Sequence, residues 1–573
     1  MLKKHSIAWP GALLFLFVNL FSLHISLAQS GSNSEPVSIR VDLNKQMGTL
    51  KPIWAFFGYD EPNYTYMKDG KKLLTEIAAL SKVPVNVRVH SLLVTGDGVA
   101  ALKWGSTNAY TEDSQGKPIY NWTIIDKIFD TYIERGMRPI AQIGFMPQAL
   151  STKPEPYKHT WSPDLKHGTI YTGWAYPPKD YEKFANLVYE WVKHSVSRYG
   201  QKQVESWYWE LWNEPDIAYW QGTVEEYIKL YDYASAAVKR ALPTAMIGGP
   251  ETTGPGSPRA ALFLKTFLDH IVGGTNAVTG KTGAPLDFIT FHAKGQPQLV
   301  NGVVQMNMGK QLRDIDKAFE IIASYPTLKN LPIIIGESDP EGCAACSEDF
   351  SPQNAYRNGT MYASYTAASF ARKYDLAASR GVNLRGAVTW AFEFEDQPWF
   401  RGFRDLATNG VDKPVLNVFR MFGMMQGNRV EVNKDLPYDY LKIRDSSVRG
   451  DKPDVNALAA KDSRSASVMV WNYHDLNNTA VAPTPVQLTV NGLPSGKISM
   501  KHYRIDQQNS NSYEVWKKMG SPNNPTTSQI AELEKAGQLK MLGSPETVQA
   551  KNGQAEIKWQ MPRQGVSLLL FSW

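Results

Sequence analysis

The sequence predicts an α/β protein, a (β/α)8 TIM barrel carrying an accessory antiparallel β-sandwich. Three observations predict it. Between residues 50 and 428, short apolar runs alternate eight times with amphipathic helical segments, the grammar of a parallel barrel. From residue 429 to 573 the pattern becomes short strands between Gly, Pro and Asn turns, which reads as a sandwich. And 573 residues exceed one ordinary domain but fit a barrel of about 250 or more residues with satellites.

Residues 1–28 read as a secretory signal peptide. Lys3 and Lys4 precede an apolar run over 11–27, and Ser26-Leu27-Ala28 offers cleavage after Ala28. The run is short for a membrane span, and no Cys follows the cleavage site to carry a lipid. A periplasmic or secreted protein without a membrane partner is expected. Residues 29–49 comprise a polar leader and then Val37-Ser38-Ile39-Arg40-Val41-Asp42-Leu43. Its period-two alternation predicts a half-exposed strand outside the barrel, joining the sandwich.

Barrel strands are predicted over 53–58, 85–89, 139–145, 207–212, 245–249, 286–291, 332–336 and 384–390. Helices are expected over 71–80, 124–135, 180–199, 225–242, 260–271, 311–324 and 361–379. In the second of these Ile124, Ile125, Ile128, Phe129 and Tyr132 share one face, and Gly136 follows as a stop. Sandwich strands are predicted over 466–473, 486–490, 498–503, 556–559 and 567–573, with one helix over 527–536.

The chemistry centres on Trp207-Tyr208-Trp209-Glu210-Leu211-Trp212-Asn213-Glu214-Pro215. The aromatic run suits a buried parallel strand, and Pro215 ends it, which puts Glu214 at the strand-to-loop transition. Barrel enzymes hold their chemistry at these C-terminal strand ends. A carboxyl crowded there by tryptophans is expected to resist ionisation and to donate a proton. Retaining hydrolysis of a glycoside needs a second carboxylate about 5–5.5 Å away. Ile333-Ile334-Ile335-Gly336-Glu337 supplies it: the strand count puts Glu337 on the seventh strand, across the mouth from the fourth. Gly336 is expected to let backbone and ligand approach closely.

Further polar groups end other strands. Arg88 and His90 close the second, His292 and Lys294 the sixth, and Trp390 the eighth, where an indole would floor a sugar site. Glu393, Glu395 and Asp396, which follow Trp390, are candidates for hydroxyl binding or rival catalytic carboxylates, and Glu61 and Glu251 are weaker rivals. A lone His or Arg at a strand end is ordinarily structural; several at one barrel end favour substrate contact. The only cysteines, Cys343 and Cys346, follow Glu337 closely. Two thiols make no four-ligand zinc site, and the βαβ setting of a redox C-x-x-C motif is missing. A small disulfide stiffening the loop is expected in an oxidising compartment, with free thiols as the alternative.

The sequence resembles glycoside hydrolase family 39, the family of β-xylosidases and α-L-iduronidases. The resemblance rests on Gly58-Tyr59-Asp60-Glu61-Pro62, Tyr120-Asn121-Trp122, Ile125-Asp126, Phe145-Met146-Pro147, Pro178-Lys179-Asp180-Tyr181, Trp212-Asn213-Glu214-Pro215, Phe291-His292 and the Glu337 strand. It implies Glu214 as acid/base, Glu337 as nucleophile and Asn213 as a donor to the sugar 2-hydroxyl, with His90, His292 and Trp390 lining the subsite. Ser338-Asp339 stands where many relatives have an aromatic residue, and Lys294 where a tyrosine is expected. Cys343-Ala344-Ala345-Cys346 is similar to a bacterial xylosidase-like subgroup. These departures lie beside the sugar pocket and bear on substrate identity.

Composition agrees. Aromatic residues make up 12% of the chain, with 17 Trp and 27 Tyr to stack on sugar rings. The formal charge of +6 is interspersed and forms no nucleic-acid stripe. The expected protein is an exported retaining exo-glycosidase releasing pentose from plant cell-wall oligosaccharides, a β-D-xylosidase first and an α-L-arabinofuranosidase second. A carbohydrate-binding protein on a disabled barrel and a thiol oxidoreductase are the readings from other classes. No metal or organic cofactor is expected, and oligomeric state is open.

Overall fold

The computed structural model describes residues 35–163, 170–433 and 435–573, so the signal peptide expected over 1–28 and most of the leader lie outside it. The barrel wall is built from Phe56–Tyr59, Asn86–Val89, Arg138–Ile143, Tyr208–Leu211, Met246–Thr252, Phe288–His292 and Ile333–Glu337. An eighth strand runs in two pieces, Leu384–Ala387 and Thr389–Trp390. The first piece pairs with the seventh strand and the second with the first strand, all parallel, so the eighth strand closes the ring.

Alternation along the strands sorts the interior into layers. Phe56, Ile140, Tyr208, Phe288, Ile334, Val388 and Trp390 fill the lumen, none more than 5% exposed. Burying each such side chain contributes roughly 1.5–3 kcal/mol. Two residues nearer the C-terminal mouth the same inner face turns polar, with Gln142, Glu210 and Thr290, and Arg88 from the second strand. An apolar floor therefore lies under a polar layer. Gly58 makes room for Trp390, because a Cβ there would collide with the indole.

The fourth strand is shorter than predicted. Its ladder spans Tyr208–Leu211, because the backbone turns left-handed at Trp212, with φ of 67°. The long helix before it, Tyr181–Tyr199, starts where the Asp180 side chain accepts from the Lys183 N–H and stops at Gly200. The helix after it, Val224–Ala241, opens on a capping box between Thr223 and Glu226.

The second domain is the expected sandwich-like unit, its strands linked into one mostly antiparallel ten-stranded sheet. Its strands wrap a shared apolar core that includes Ile39, Val41, Val468, Leu488, Ile498 and Phe571. Val37–Thr49 lies inside this sheet, antiparallel to Asn428–Val432 and parallel to Thr484–Asn491, the only parallel pairing it makes. Its other face meets the barrel. Met469, Trp471, Tyr473, Val566 and Leu568 merge into the barrel core, and Ser364 on helix Thr360–Arg380 donates to Gln564 at 2.6 Å. The predicted helix is present as Thr527–Gly537, and a second one, Ser512–Lys518, was not readable from the sequence. Both pack around Phe400 and Val411 through Trp516 and Leu533.

Candidate active site

Glu214 and Glu337 leave the ends of the fourth and seventh strands and meet across the mouth. One oxygen of each and a ring nitrogen of His292 lie within 4.8 Å of one another. Carboxyl groups this close suit double displacement, which needs a pair about 5–5.5 Å apart, and not inversion, which needs a wider gap. Trp212, Glu214 and Glu251 sit at φ of 67°, 46° and 58°. Left-handed backbone costs non-glycine residues of order 1–3 kcal/mol each. Here it turns the Glu214 side chain into the mouth, while its N–H donates to the Glu251 carbonyl at 2.8 Å.

A cationic network holds the carboxylates. Arg88, wholly buried, donates through Nε to Glu210 at 2.5 Å and lies 3.1 Å from Glu251 and 3.8 Å from Glu337. Its Nη2 also donates to the Asn213 Oδ1 at 3.2 Å. The Asn213 Nδ2 has no partner among the described residues and remains free to donate to a ligand. His292 Nδ1 is 2.8 Å from Glu214 Oε1, and its Nε2 is 3.3 Å from Glu251. Lys294 pairs with Glu337 and lies 3.7 Å from Glu214. His90 Nε2 lies 3.3 Å from Glu337.

These contacts set the protonation states. Burial alone would raise the Glu337 carboxyl, but the charges of His292 and Lys294 hold it well below the usual carboxylate range. Burial lowers His292, yet Glu337 and Glu251 outweigh it and push the imidazole up to about 10. Burial raises Glu210 to about 8 against the pull of Arg88. Glu214 departs from the sequence-based expectation. Burial does raise it, but Lys294 and His292 prevail and its pKa is lowered. Trp212 packs on Phe145 and Trp220 instead of crowding the carboxyl.

The pocket between the strand ends holds about 520 Å³ and is lined by Glu214, Glu337, His292, Lys294, Trp390, Asp60, Lys103 and Arg404 among others. That is the size of a small-sugar site. Trp390 donates through Nε1 to Asp60 at 3.1 Å. Arg88 and Asn213 sit beneath this lining.

Glu393 corrects the prediction. It lies outside the lining, 2% exposed, with its carboxylate accepting the Gly410 N–H at 2.6 Å inside its own loop. Glu395 accepts from the Asp69 N–H, and Glu61 from the Lys103 N–H, so neither faces the pocket. Gly336 provides close approach, but to protein: a Cβ there would collide with the Glu251 carboxylate. Cys343 and Cys346 are joined as a disulfide, Cα atoms 5.4 Å apart.

Sequence reasoning passed over Glu210, Asp60, Lys103 and Arg404. A Glu amid buried aromatics was a usable signal for Glu210; Lys103 and Arg404 sit in long loops that carry none. Two triplets, Asp60–His90–Glu337 and Glu214–His292–Glu337, have ligand-type atoms within metal-binding reach. In both, protein cations already compensate the carboxylates: Lys103, Arg88 and Lys294 would have to yield to an ion.

Comparison with known proteins bears on this geometry. A β-xylosidase of Caldicellulosiruptor saccharolyticus is 28% identical over 428 residues, covering 73% of this chain and 76% of the relative. An α-L-iduronidase of Mus musculus is 24% identical over 559 residues, covering 91% and 78%. Among solved structures, a monomeric β-xylosidase from Caulobacter crescentus CB15 superposes with a TM-score of 0.71 at 20% identity, over 93% of this chain and 99% of that one. That last likeness is one of fold. Residues 37–551 match Glycosyl hydrolases family 39, and the chain thus belongs to that family and is a retaining glycosidase.

Proposed function

We propose that the protein is an exported exo-acting β-D-xylosidase working by double displacement, with Glu337 as nucleophile and Glu214 as acid/base. The observation that carries the mechanism is the placement of the two carboxylates, within 4.8 Å at their nearest oxygens. Glu337, held anionic, attacks the anomeric carbon while Glu214 protonates the leaving oxygen. The Glu337 charge opposes the net lowering of Glu214 by Lys294 and His292. That influence vanishes once Glu337 is esterified, so Glu214 then deprotonates the water that releases the sugar. Lys294 bridges the two carboxylates, and a sugar that took its place there would remove one of the charges that lower Glu214. The resemblance to the family assigns Asn213 to the 2-hydroxyl, and its unpaired Nδ2 supports that role.

The xyloside assignment draws on the named relatives. Export draws on Lys3, Lys4 and the apolar run before Ala28, and a disulfide suits an oxidising compartment. One observation favours a second substrate, a uronoside. Lys294 and Arg404 both line the pocket, and the Arg404 Nη2 has no partner among the described residues. A sugar carboxylate would meet that positive pair better than a neutral pentose does. Nothing in the pocket favours an arabinofuranoside over a xyloside.

The test is hydrolysis of aryl β-D-xyloside, α-L-iduronide and α-L-arabinofuranoside by wild type and Glu337→Gln. Release from the xyloside, lost in the variant, supports the reading. Preference for the iduronide keeps the mechanism and replaces the substrate. Turnover that survives Glu337→Gln refutes the nucleophile.

A further inference from the structure

The sequence singled out Glu61 in the Asp60-Glu61-Pro62 turn, but the structure brings its neighbour to the pocket. Asp60 follows directly on the first strand and is 13% exposed at its side chain, facing the cavity. Its Oδ2 pairs with Lys103 Nζ at 2.7 Å. Its Oδ1 accepts from Trp390 and lies 3.5 Å from His90, which in turn touches Glu337. One oxygen each of Asp60 and Glu337 and a ring nitrogen of His90 lie within 4.8 Å of one another. A sugar whose anomeric carbon faces Glu337 therefore has its ring hydroxyls within reach of Asp60.

Lys103 is built to be there. It sits in the left-handed region at φ of 58°, its N–H donates to the buried Glu61 carboxyl at 2.7 Å, and its carbonyl bonds His159 Nε2 at 2.6 Å. Two fixed backbone contacts hold a strained residue so that its ammonium meets Asp60 inside the cavity. Burial would lower Lys103, and Asp60 reverses this, so the pair stays charged. The pair also borders a second space of about 30 Å³, lined by His90, His159 and Tyr219 as well as Val94, Trp104, Phe145 and Trp174. It has room for a water or two and none for another sugar ring.

We propose that Asp60 and Lys103 form a carboxylate–ammonium clamp that reads the hydroxyls at the non-reducing edge of the terminal sugar and closes the pocket behind them. This rests on Glu214 and Glu337 flanking the scissile bond. A hydroxyl both donates and accepts, so it bridges the two charges, donating to Asp60 and accepting from Lys103. A site built this way rejects sugars lacking that hydroxyl, because its own buried charges are then left without the partner.

The experiment compares the fastest aryl glycoside of the panel with its 3-deoxy and 4-deoxy analogues, on wild type, Asp60→Asn and Lys103→Met. Wild type is expected to lose at least about 100-fold in kcat/KM on one deoxy analogue. Each variant is expected to lose a similar factor on the parent glycoside and under about 5-fold more on that analogue, since the interaction is already gone. Urea midpoints establish that the variants fold. Equal losses on parent and analogue would make the pair merely structural and overturn the inference, as would a wild type indifferent to both deoxy sugars. No turnover of any panel glycoside by wild type would overturn the proposed substrate readings, and the clamp that rests on them.

Discussion

Replacing Arg88 by Met tests whether a single guanidinium holds the buried carboxyl groups around the nucleophile. The change keeps much of the volume and removes a wholly buried cation lying 2.5, 3.1 and 3.8 Å from Glu210, Glu251 and Glu337. Breaking a buried pair by removing one partner costs about 3–5 kcal/mol, because the other charge stays behind. Glu210, already near 8 with Arg88 present, stays protonated at pH 7 and contributes little to that cost. The penalty falls on Glu251 and Glu337. Both are lowered in the native protein, so they contribute stability above the ordinary carboxylate pKa that is lost as pH falls through their depressed values. Without Arg88 the Glu251 carboxyl rises, and each unit of rise removes about 1.4 kcal/mol at neutral pH. The loss should therefore be about 3–5 kcal/mol at pH 7 and at least about 1 kcal/mol smaller at pH 5. Equilibrium urea unfolding at the two pH values, read by the fluorescence of the 17 tryptophans, measures it. Equal losses at both pH values, or a loss under about 1 kcal/mol at pH 7, would refute the account. Arg88→Lys should fall between, since one ammonium cannot fork to three carboxyl groups.

Three further outcomes are expected. Glu214→Ala should slow hydrolysis by about 10²–10⁴ on a phenyl glycoside and much less on a dinitrophenyl one, whose leaving group needs no proton; equal losses on both would remove the acid role. Lys294→Met takes away one of the charges that lower Glu337, so the acidic limb of the kcat/KM profile should move to higher pH; an unmoved limb would show that the two histidines, His292 and His90, set the nucleophile without it. Reducing Cys343–Cys346 should cost at most about 2 kcal/mol, because the closed loop is very short. Activity should survive reduction, since buried Arg357 also donates to the Cys343, Cys346 and Gly402 carbonyls; its own replacement by Met should cost more than reduction does.

What the sequence determined alone is what local rules encode. Eight apolar runs set the barrel, and Pro215 and Gly336 mark where the fourth and seventh strands present Glu214 and Glu337. A strand count was enough to face them across the mouth, because barrel closure fixes which strands oppose. Tertiary structure decided the charge state. The aromatic neighbours of Glu214 suggested a raised pKa, but Lys294 and His292, reaching over from the sixth strand, reverse it. Glu393 looked like a ligand from its place after the eighth strand, yet its loop folds back and buries it against Gly410. Lys103 and Arg404 gave no signal, because where a long loop returns its side chains depends on distant packing and not on periodicity. Coulomb interactions depend on distance in space, and a linear pattern specifies that distance only along regular elements.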